Sequence, residues 1–205
     1  LPEIIWRKKS NKPNKFMGSG MLPPNAYITQ EHEYILIFRK EGNRQFHTDE
    51  KLNRYSSAFF FEERNKWFRD LWSDIPGTRQ KMNGVSRNRN GAYPLEIPYR
   101  LINMFSVKGD TILDPFLGTG TTISAAILNQ RNSIGYEIDS SFKEVILENI
   151  KENLKEDTRN QDRLKYHLEC IENCKYESQV YDFKVKTRQE TKLKIPELKD
   201  IEIEE

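Results

Sequence analysis

TILDPFLGTGTT, residues 111–122, runs from a short apolar segment into a turn containing Gly118 and Gly120 and then into a helix-forming stretch. TILDPF reads as a strand. TTISAAILNQ (121–130) reads as a helix with Ile123, Ala126 and Ile127 facing inward. A strand, a Gly-x-Gly turn and a helix place a ligand at the carboxyl end of the strand when they sit in an α/β sheet.

The flanking sequence repeats that alternation. IPYRLINMFS (97–106) predicts a helix with Pro98 at its first position and Leu101, Ile102 and Phe105 on one face. RNSIGYEID (131–139) predicts the strand SIGYEI. Ser141 and Glu144 form a capping-box pattern ahead of a helix to about Lys155, with Phe142, Val145, Ile146 and Ile150 on its apolar side. Residues 97–155 thus read α–β–α–β–α, the pattern of a parallel sheet with crossover helices.

Nearer the amino terminus, EIIW (3–6) reads as a strand and NKPNKFMGSGMLPPN (11–25) as a loop. EYILIFRK (33–40) has the continuous apolar core of a strand buried on both faces. Residues 41–92 show no clean period and read as an insert with one helix near 62–72 and the turn-rich NGVSRNRNG at its end. Beyond 155, HLECI fits strand or helix and VYDFKVKT fits a strand.

Composition narrows the function classes. Net charge is +2, so global charge selects no partner, but its distribution does. Residues 7–15 hold Arg7, Lys8, Lys9, Lys12 and Lys15 without an acid, and Arg79, Lys81, Arg87 and Arg89 stand together without an acid between Asp74 and Glu96. Such patches suit a polyanion; a solvated basic loop is the plain alternative. Cys170 and Cys174 are the only cysteines and have no histidine cluster beside them, which argues against a zinc site or a disulfide framework. No metal is expected, no membrane span is visible, and a reducing cytoplasm is the expected compartment.

Three ligands compete for the glycine turn. A P-loop requires Gly-Lys-Ser/Thr, and 114–130 contains no lysine. A dinucleotide site wants a third glycine where Ile123 stands, and Asp114 would repel a pyrophosphate. S-adenosylmethionine fits better, because it has no phosphate and its ammonium can meet Asp114. Its ribose hydroxyls need an acid about 20 residues on. Glu137 lies nineteen residues after Gly118, with Asp139 as the alternative.

On these residues the chain resembles the DNA amino-methyltransferases of the permuted, beta-class order, in which the cofactor half follows the catalytic half. IIWRKK resembles that family's mid-sheet strand and HEYILIFRK its late hairpin. AYPLEIPYRLINMFS resembles the helix ahead of the cofactor loop, TILDPFLGTGTT the loop itself, and RNSIGYEI the ribose-binding strand. The resemblance implies a partial Rossmann-like, S-adenosylmethionine-dependent methyltransferase core of the α/β class, a parallel sheet with a late hairpin, over 1–155. It implies a target-recognition insert at 41–92, with 156–205 as a carboxyl-terminal extension. It further implies that Asp114, Phe116, Gly118, Gly120 and Thr121 line the methionine end, that Glu137 takes the ribose, and that Tyr93 and Pro94 pack near the methionine moiety. Asn90-Gly91 stand where family members often carry His-Pro.

Methylating an exocyclic amine requires its nitrogen lone pair to be aimed at the sulfonium methyl. The family does this with Ser/Asp-Pro-Pro-aromatic, on which a flipped base stacks. The one Pro-Pro here, Leu22-Pro23-Pro24-Asn25, has neither the acceptor nor the aromatic. The expectation is therefore that the amine-positioning motif lies upstream of Leu1 or on a second polypeptide, and no catalytic residue is named. Double-stranded DNA is the expected partner, contacted through Arg79, Lys81, Arg87 and Arg89. The similarity leans toward N4 of cytosine and toward a restriction–modification enzyme. N6 of adenine and a non-catalytic cofactor- or DNA-binding module remain open alternatives.

Overall fold

The computed structural model describes residues 2–8, 31–40, 42–77, 93–155 and 158–173. They form two compact units: Leu1–Gly42 with Phe68–Ile97, and Asn43–Trp67 with Pro98–Glu205.

The first unit is built on a small sheet of order β2-β1-β3, with β1 (Ile4–Arg7), β2 (His32–Ile35) and β3 (Leu71–Trp72). β1 runs antiparallel to β2, pairing Ile4 with Ile35 and Arg7 with His32, and parallel to β3, pairing Trp6 with Trp72. Alternation puts Ile4 and Trp6 inside, and Trp6, Trp72 and Ile75 are fully buried. The Trp6 indole donates to the Ile75 carbonyl at 2.9 Å, which satisfies its one polar atom.

The expected two-sided burial of EYILIFRK is not found. The strand is only four residues long, and Tyr34, Leu36 and Phe38 are exposed, Phe38 by 85%. Among the described residues β2 lies at a sheet edge with β1 as its one neighbour, so continuous apolarity here does not mark a central strand. The helix expected near 62–72 ends earlier. α2 covers Phe61–Trp67, and Leu71 and Trp72 are taken by pairing with β1.

The second unit carries the α/β alternation. β4 (Thr111–Asp114) and β5 (Asn132–Gly135) are parallel, in the register Thr111↔Asn132 to Asp114↔Gly135. α4 (Thr121–Leu128) crosses between them and lies close to the strands. That closeness explains Gly135, where a Cβ would come within 2.8 Å of Leu117 and 2.9 Å of Ile123. The buried face of α4 is Ser124, Ala125 and Ala126, small side chains that admit near neighbours, whereas Ile127, expected inward, is exposed. α3 (Glu96–Phe105) buries Tyr99, Ile102 and Asn103 and leaves Phe105 outside. The Asn103 amide donates to Asn129 Oδ1 at 2.6 Å, and Asn129 donates to Ala125 O at 2.8 Å, which ties α3 to the end of α4.

The start of the next helix also differs from its expected capping box. Asp139 is the cap: its Oδ1 accepts from Ser141 N at 3.1 Å and from Ser141 Oγ at 2.6 Å. A 3-10 turn, Ser140–Phe142, then leads into α5 (Lys143–Lys155). HLECI belongs to a helix, α6 (Arg159–Asn173). VYDFKVKT lies outside the described residues.

α1 (Thr48–Ser56) was not legible as a helix, and Glu50 Oε2 accepts from the His47 amide at 3.0 Å to fix its start. α6 packs on α2 and α3 through Arg163. The guanidinium forks onto Glu63, with Nη2 to Oε2 at 2.9 Å, and Nη1 donates to the Tyr99 hydroxyl at 3.0 Å. It also lies over the rings of Phe60, Trp67 and Tyr99 at 5.7–5.8 Å. One turn later His167 stacks on Phe60 with centroids 4.1 Å apart and bonds Glu62 Oε1 at 2.5 Å.

Candidate functional site

The site is the turn at the carboxyl end of β4. Asp114 ends the strand, and its Oδ1 accepts from Phe116 N at 3.0 Å, closing an Asx turn. Leu117 N donates to Tyr136 O and Tyr136 N to Asp114 O, at 2.8 and 2.9 Å, so the pairing with the β5 side continues past the strands. Gly120 N then bonds Leu117 O at 3.1 Å, closing a β-turn over 117–120. Gly118 has φ +57° and Gly120 φ +83°, while Thr119 between them is not positive. Positive φ at the first central residue alone is the pattern of a type II′ turn, which glycine fits without steric cost.

The two glycines do different work. A Cβ at Gly118 would meet nothing nearer than Phe116 O at 3.9 Å, so this side of the turn is open to a ligand. A Cβ at Gly120 would stand 3.1 Å from Ile146 Cγ2 and 3.5 Å from Ile150 Cγ1. A side chain at the second glycine would therefore press on α5 behind the loop, in addition to the strain of its positive φ.

Glu137 reaches this turn from beyond β5. Its Oε2 accepts from Gly118 N at 2.8 Å and its Oε1 accepts from Asp139 N at 3.0 Å. As a carboxylate the group is acceptor-only, the chemistry that hydroxyl donors need. Asp139 is committed to its cap on Ser141. Phe116 is 87% exposed, and Ile138, beside Glu137, is 96% exposed. Thr121 opens α4, whose N-cap Gly120 offers no side-chain acceptor to the first-turn amides. Such a helix start favours an anionic group.

Asp114, Phe116, Gly118, Gly120, Thr121 and Glu137 are thus together in one unit. Tyr93 and Pro94 belong to the other unit, half-buried, where Pro94 O accepts from Ile97 N at 3.1 Å at the entry to α3. Arg79, Lys81, Arg87 and Arg89 lie outside the described residues. Asn149 was missed. It projects from α5 and donates to Thr119 O at 3.2 Å. A polar residue between Ile146 and Ile150 on one helix face was the available signal. Among the described residues no group of three or more metal-ligating side chains is brought together, and no helix is long and apolar enough to cross a membrane.

The sequence profile of the DNA methylase family, N6/N4 type, matches residues 1–148. The chain is 58% identical to the type II methyltransferase M.MthZI of Methanothermobacter thermautotrophicus over 203 residues, 95% of this chain and 56% of that protein. It is 58% identical to M.MjaI of Methanocaldococcus jannaschii over 150 residues, 73% of this chain and 48% of that protein. A solved structure of TTHA0409, a putative DNA modification methylase of Thermus thermophilus complexed with S-adenosyl-L-methionine, superposes with a TM-score of 0.58 at 34% identity. That alignment covers 77% of this chain and 55% of the Thermus chain. The chain spans about half the length of the curated relatives it matches. With its parallel β4–β5 pair, α4 crossover and glycine turn forming part of a Rossmann-like α/β core, the chain belongs to the DNA methylase family.

Proposed function

We propose that this chain is the cofactor-binding part of a DNA amino-methyltransferase that uses S-adenosylmethionine. The observation that carries this is the Glu137 carboxylate bound to the Gly118 amide beside the open face of the turn. A pyrophosphate would meet two carboxylates there, Asp114 and Glu137. A ligand with an ammonium and two ribose hydroxyls meets acceptors instead. The methyl-donor complex of the Thermus relative supports the same ligand.

In this reading Glu137 accepts from the ribose hydroxyls and Asp114 attracts the ammonium. The first turn of α4, from Thr121, receives the carboxylate of the methionine end. Phe116, Gly118 and Gly120 shape the loop around it, and Tyr93 and Pro94 pack near the methionine moiety. The cofactor supplies an electrophilic methyl group, and the protein's task is to hold it in line with a nucleophilic amine.

The acceptor is the exocyclic amine of a base flipped from double-stranded DNA, with N4 of cytosine favoured over N6 of adenine. Arg79, Lys81, Arg87 and Arg89 serve phosphate contacts within a recognition insert at 41–92; 1–155 is the core and 156–205 an extension. The Ser/Asp-Pro-Pro-aromatic motif that would position the amine is not in this sequence. It is supplied by an upstream segment or a second polypeptide, and the complete enzyme is the modification partner in a type II restriction–modification system.

Calorimetry with S-adenosylmethionine tests the cofactor assignment. Labelled methyl transfer to DNA tests the rest: residues 1–205 alone should transfer none, and adding the amine-positioning segment should restore transfer. Transfer by the chain alone would contradict the divided site. Persistent inactivity with that segment present would favour a non-catalytic module. Chromatography of nucleosides from DNA modified by the complete enzyme separates N4-methylcytosine from N6-methyladenine.

A further inference from the structure

The tip of the glycine loop is gripped twice by one continuous stretch of chain. From the end of β5, Glu137 takes the Gly118 N–H at 2.8 Å. From α5, the Asn149 amide gives a hydrogen bond to the Thr119 carbonyl at 3.2 Å. Gly118 and Thr119 are the two central residues of the turn closed by Gly120 N and Leu117 O. One grip accepts and the other donates, so the peptide groups on both sides of the tip are fixed.

The helix spacing explains how α5 does this. Positions 146, 149, 150 and 153 follow the i, i+3, i+4, i+7 rule and share one face. Ile146 and Ile150 pack where Gly120 lacks a Cβ. Asn153 Nδ2 donates to Ser124 Oγ at 3.1 Å on α4. The docking of α5 on α4 therefore has its own apolar and polar contacts, and Asn149 is the member of this face that bonds the loop backbone. Asparagine is a weak helix former, and half-burying its amide is unfavourable unless a partner receives it.

We propose that Asn149 is a positioning residue for the cofactor loop. By holding the Thr119 carbonyl it sets the orientation of the Gly118 and Gly120 peptides and of the start of α4 before a ligand arrives. A turn with two glycines has many conformers to lose, and a tether formed during folding removes that loss from the binding step. This rests on the S-adenosylmethionine reading of the loop.

The test compares Asn149→Leu, which keeps the size and removes the donor, with Asn149→Gln, which keeps an amide. Amide hydrogen exchange over 116–121 is followed without ligand, and S-adenosylmethionine binding by calorimetry. Asn149→Leu should melt close to the native chain, exchange its loop amides about tenfold faster, and bind the cofactor about three- to tenfold more weakly. Asn149→Gln should recover much of both. Unchanged loop exchange in Asn149→Leu overturns the proposal. So does a rise in exchange spread evenly over α4 and α5, which would make Asn149 a packing residue, or unchanged cofactor affinity when the native chain binds. If the native chain gives no binding heat while loop exchange still follows Asn149, the cofactor reading fails and the tether stands.

Discussion

The Glu137 carboxylate binds the backbone of the loop it faces, accepting the Gly118 amide on Oε2 at 2.8 Å. With Oε1 on the Asp139 amide at 3.0 Å, both oxygens are anchored by donors. The side chain is thereby held in one orientation by its own chain.

Glu137→Gln should therefore be harmful although it is isosteric. A glutamine has one acceptor oxygen, and its NH2 would face a backbone N–H on one side or the other. Losing a bond to a charged acceptor costs about 1.5–3 kcal/mol. S-adenosylmethionine affinity should fall at least about tenfold, and further in Glu137→Ala. Calorimetry on both variants checks this, and native affinity in both would remove Glu137 from the site.

Gly118→Ala and Gly120→Ala should separate loop from packing. Each carries positive φ, a strain of about 1–2 kcal/mol for a non-glycine residue. Only Gly120→Ala also drives a methyl to 3.1 Å from Ile146. Urea unfolding should show Gly120→Ala as clearly the less stable. Gly118→Ala should keep more of its stability yet bind cofactor poorly, because its methyl occupies the open face. Equal destabilisation would contradict the division of labour.

Arg163 should be expensive to remove. Burial alone would lower its pKa, but the bonds with Glu63 and Tyr99 outweigh that and hold it above the ordinary arginine value. Arg163→Ala leaves the buried Glu63 without its counterion and should cost about 3 kcal/mol. Replacing both, as Arg163→Met with Glu63→Leu, should cost less than the two single changes summed. Denaturant melts of the cycle measure this.

Lys108 offers a pH signature. Burial first, then the nearby charges of Arg131 and Arg163, lower its pKa from 10.5. The folded state thus releases this proton at lower pH than the unfolded state. Below the folded value the group detracts from stability. Between the folded value and 10.5 the unfolded chain binds more protons, so stability from this group rises with pH. Lys108→Met should raise the melting temperature slightly near neutrality, and its advantage over the native chain should shrink as pH approaches 10.5.

Arg87→Ala with Arg89→Ala should weaken DNA binding across sequences. The slope of log affinity against log salt should drop by about 1–2 units. Binding of the complete enzyme measured over a salt series reads it directly, and an unchanged slope would make the patch a solvated loop.

Local features made the glycine loop, the two parallel strands and their helices legible. Apolar periodicity marked α3 and α5, and the Gly118 and Gly120 spacing marked the turn between β4 and α4. The exposure of Tyr34, Leu36 and Phe38 was not legible, because composition alone does not tell an edge strand from a central one. The packing behind Gly120 was not legible for a related reason. The side chains packed against it, Ile146 and Ile150, come from a helix later in the sequence. The Asp139 cap displaced the Ser141–Glu144 pattern because aspartate at that position reaches the Ser141 amide directly. The Glu63–Arg163 pair lies a hundred residues apart in sequence and had no local signal.

That hundred-residue span sets an order of events during synthesis. Glu63, Trp67 and Tyr99 are made before Arg163, and at about 5–20 residues per second the wait lasts roughly 5–20 s for Glu63. Throughout that interval a carboxylate destined for burial lacks its cation, and the Trp67 and Tyr99 rings lack the guanidinium that later lies over them. For part of that interval the nascent chain has α2 and α3 made and α6 still to come. A released fragment ending before residue 159 should bind holdase chaperones, and one extended past residue 173 should not.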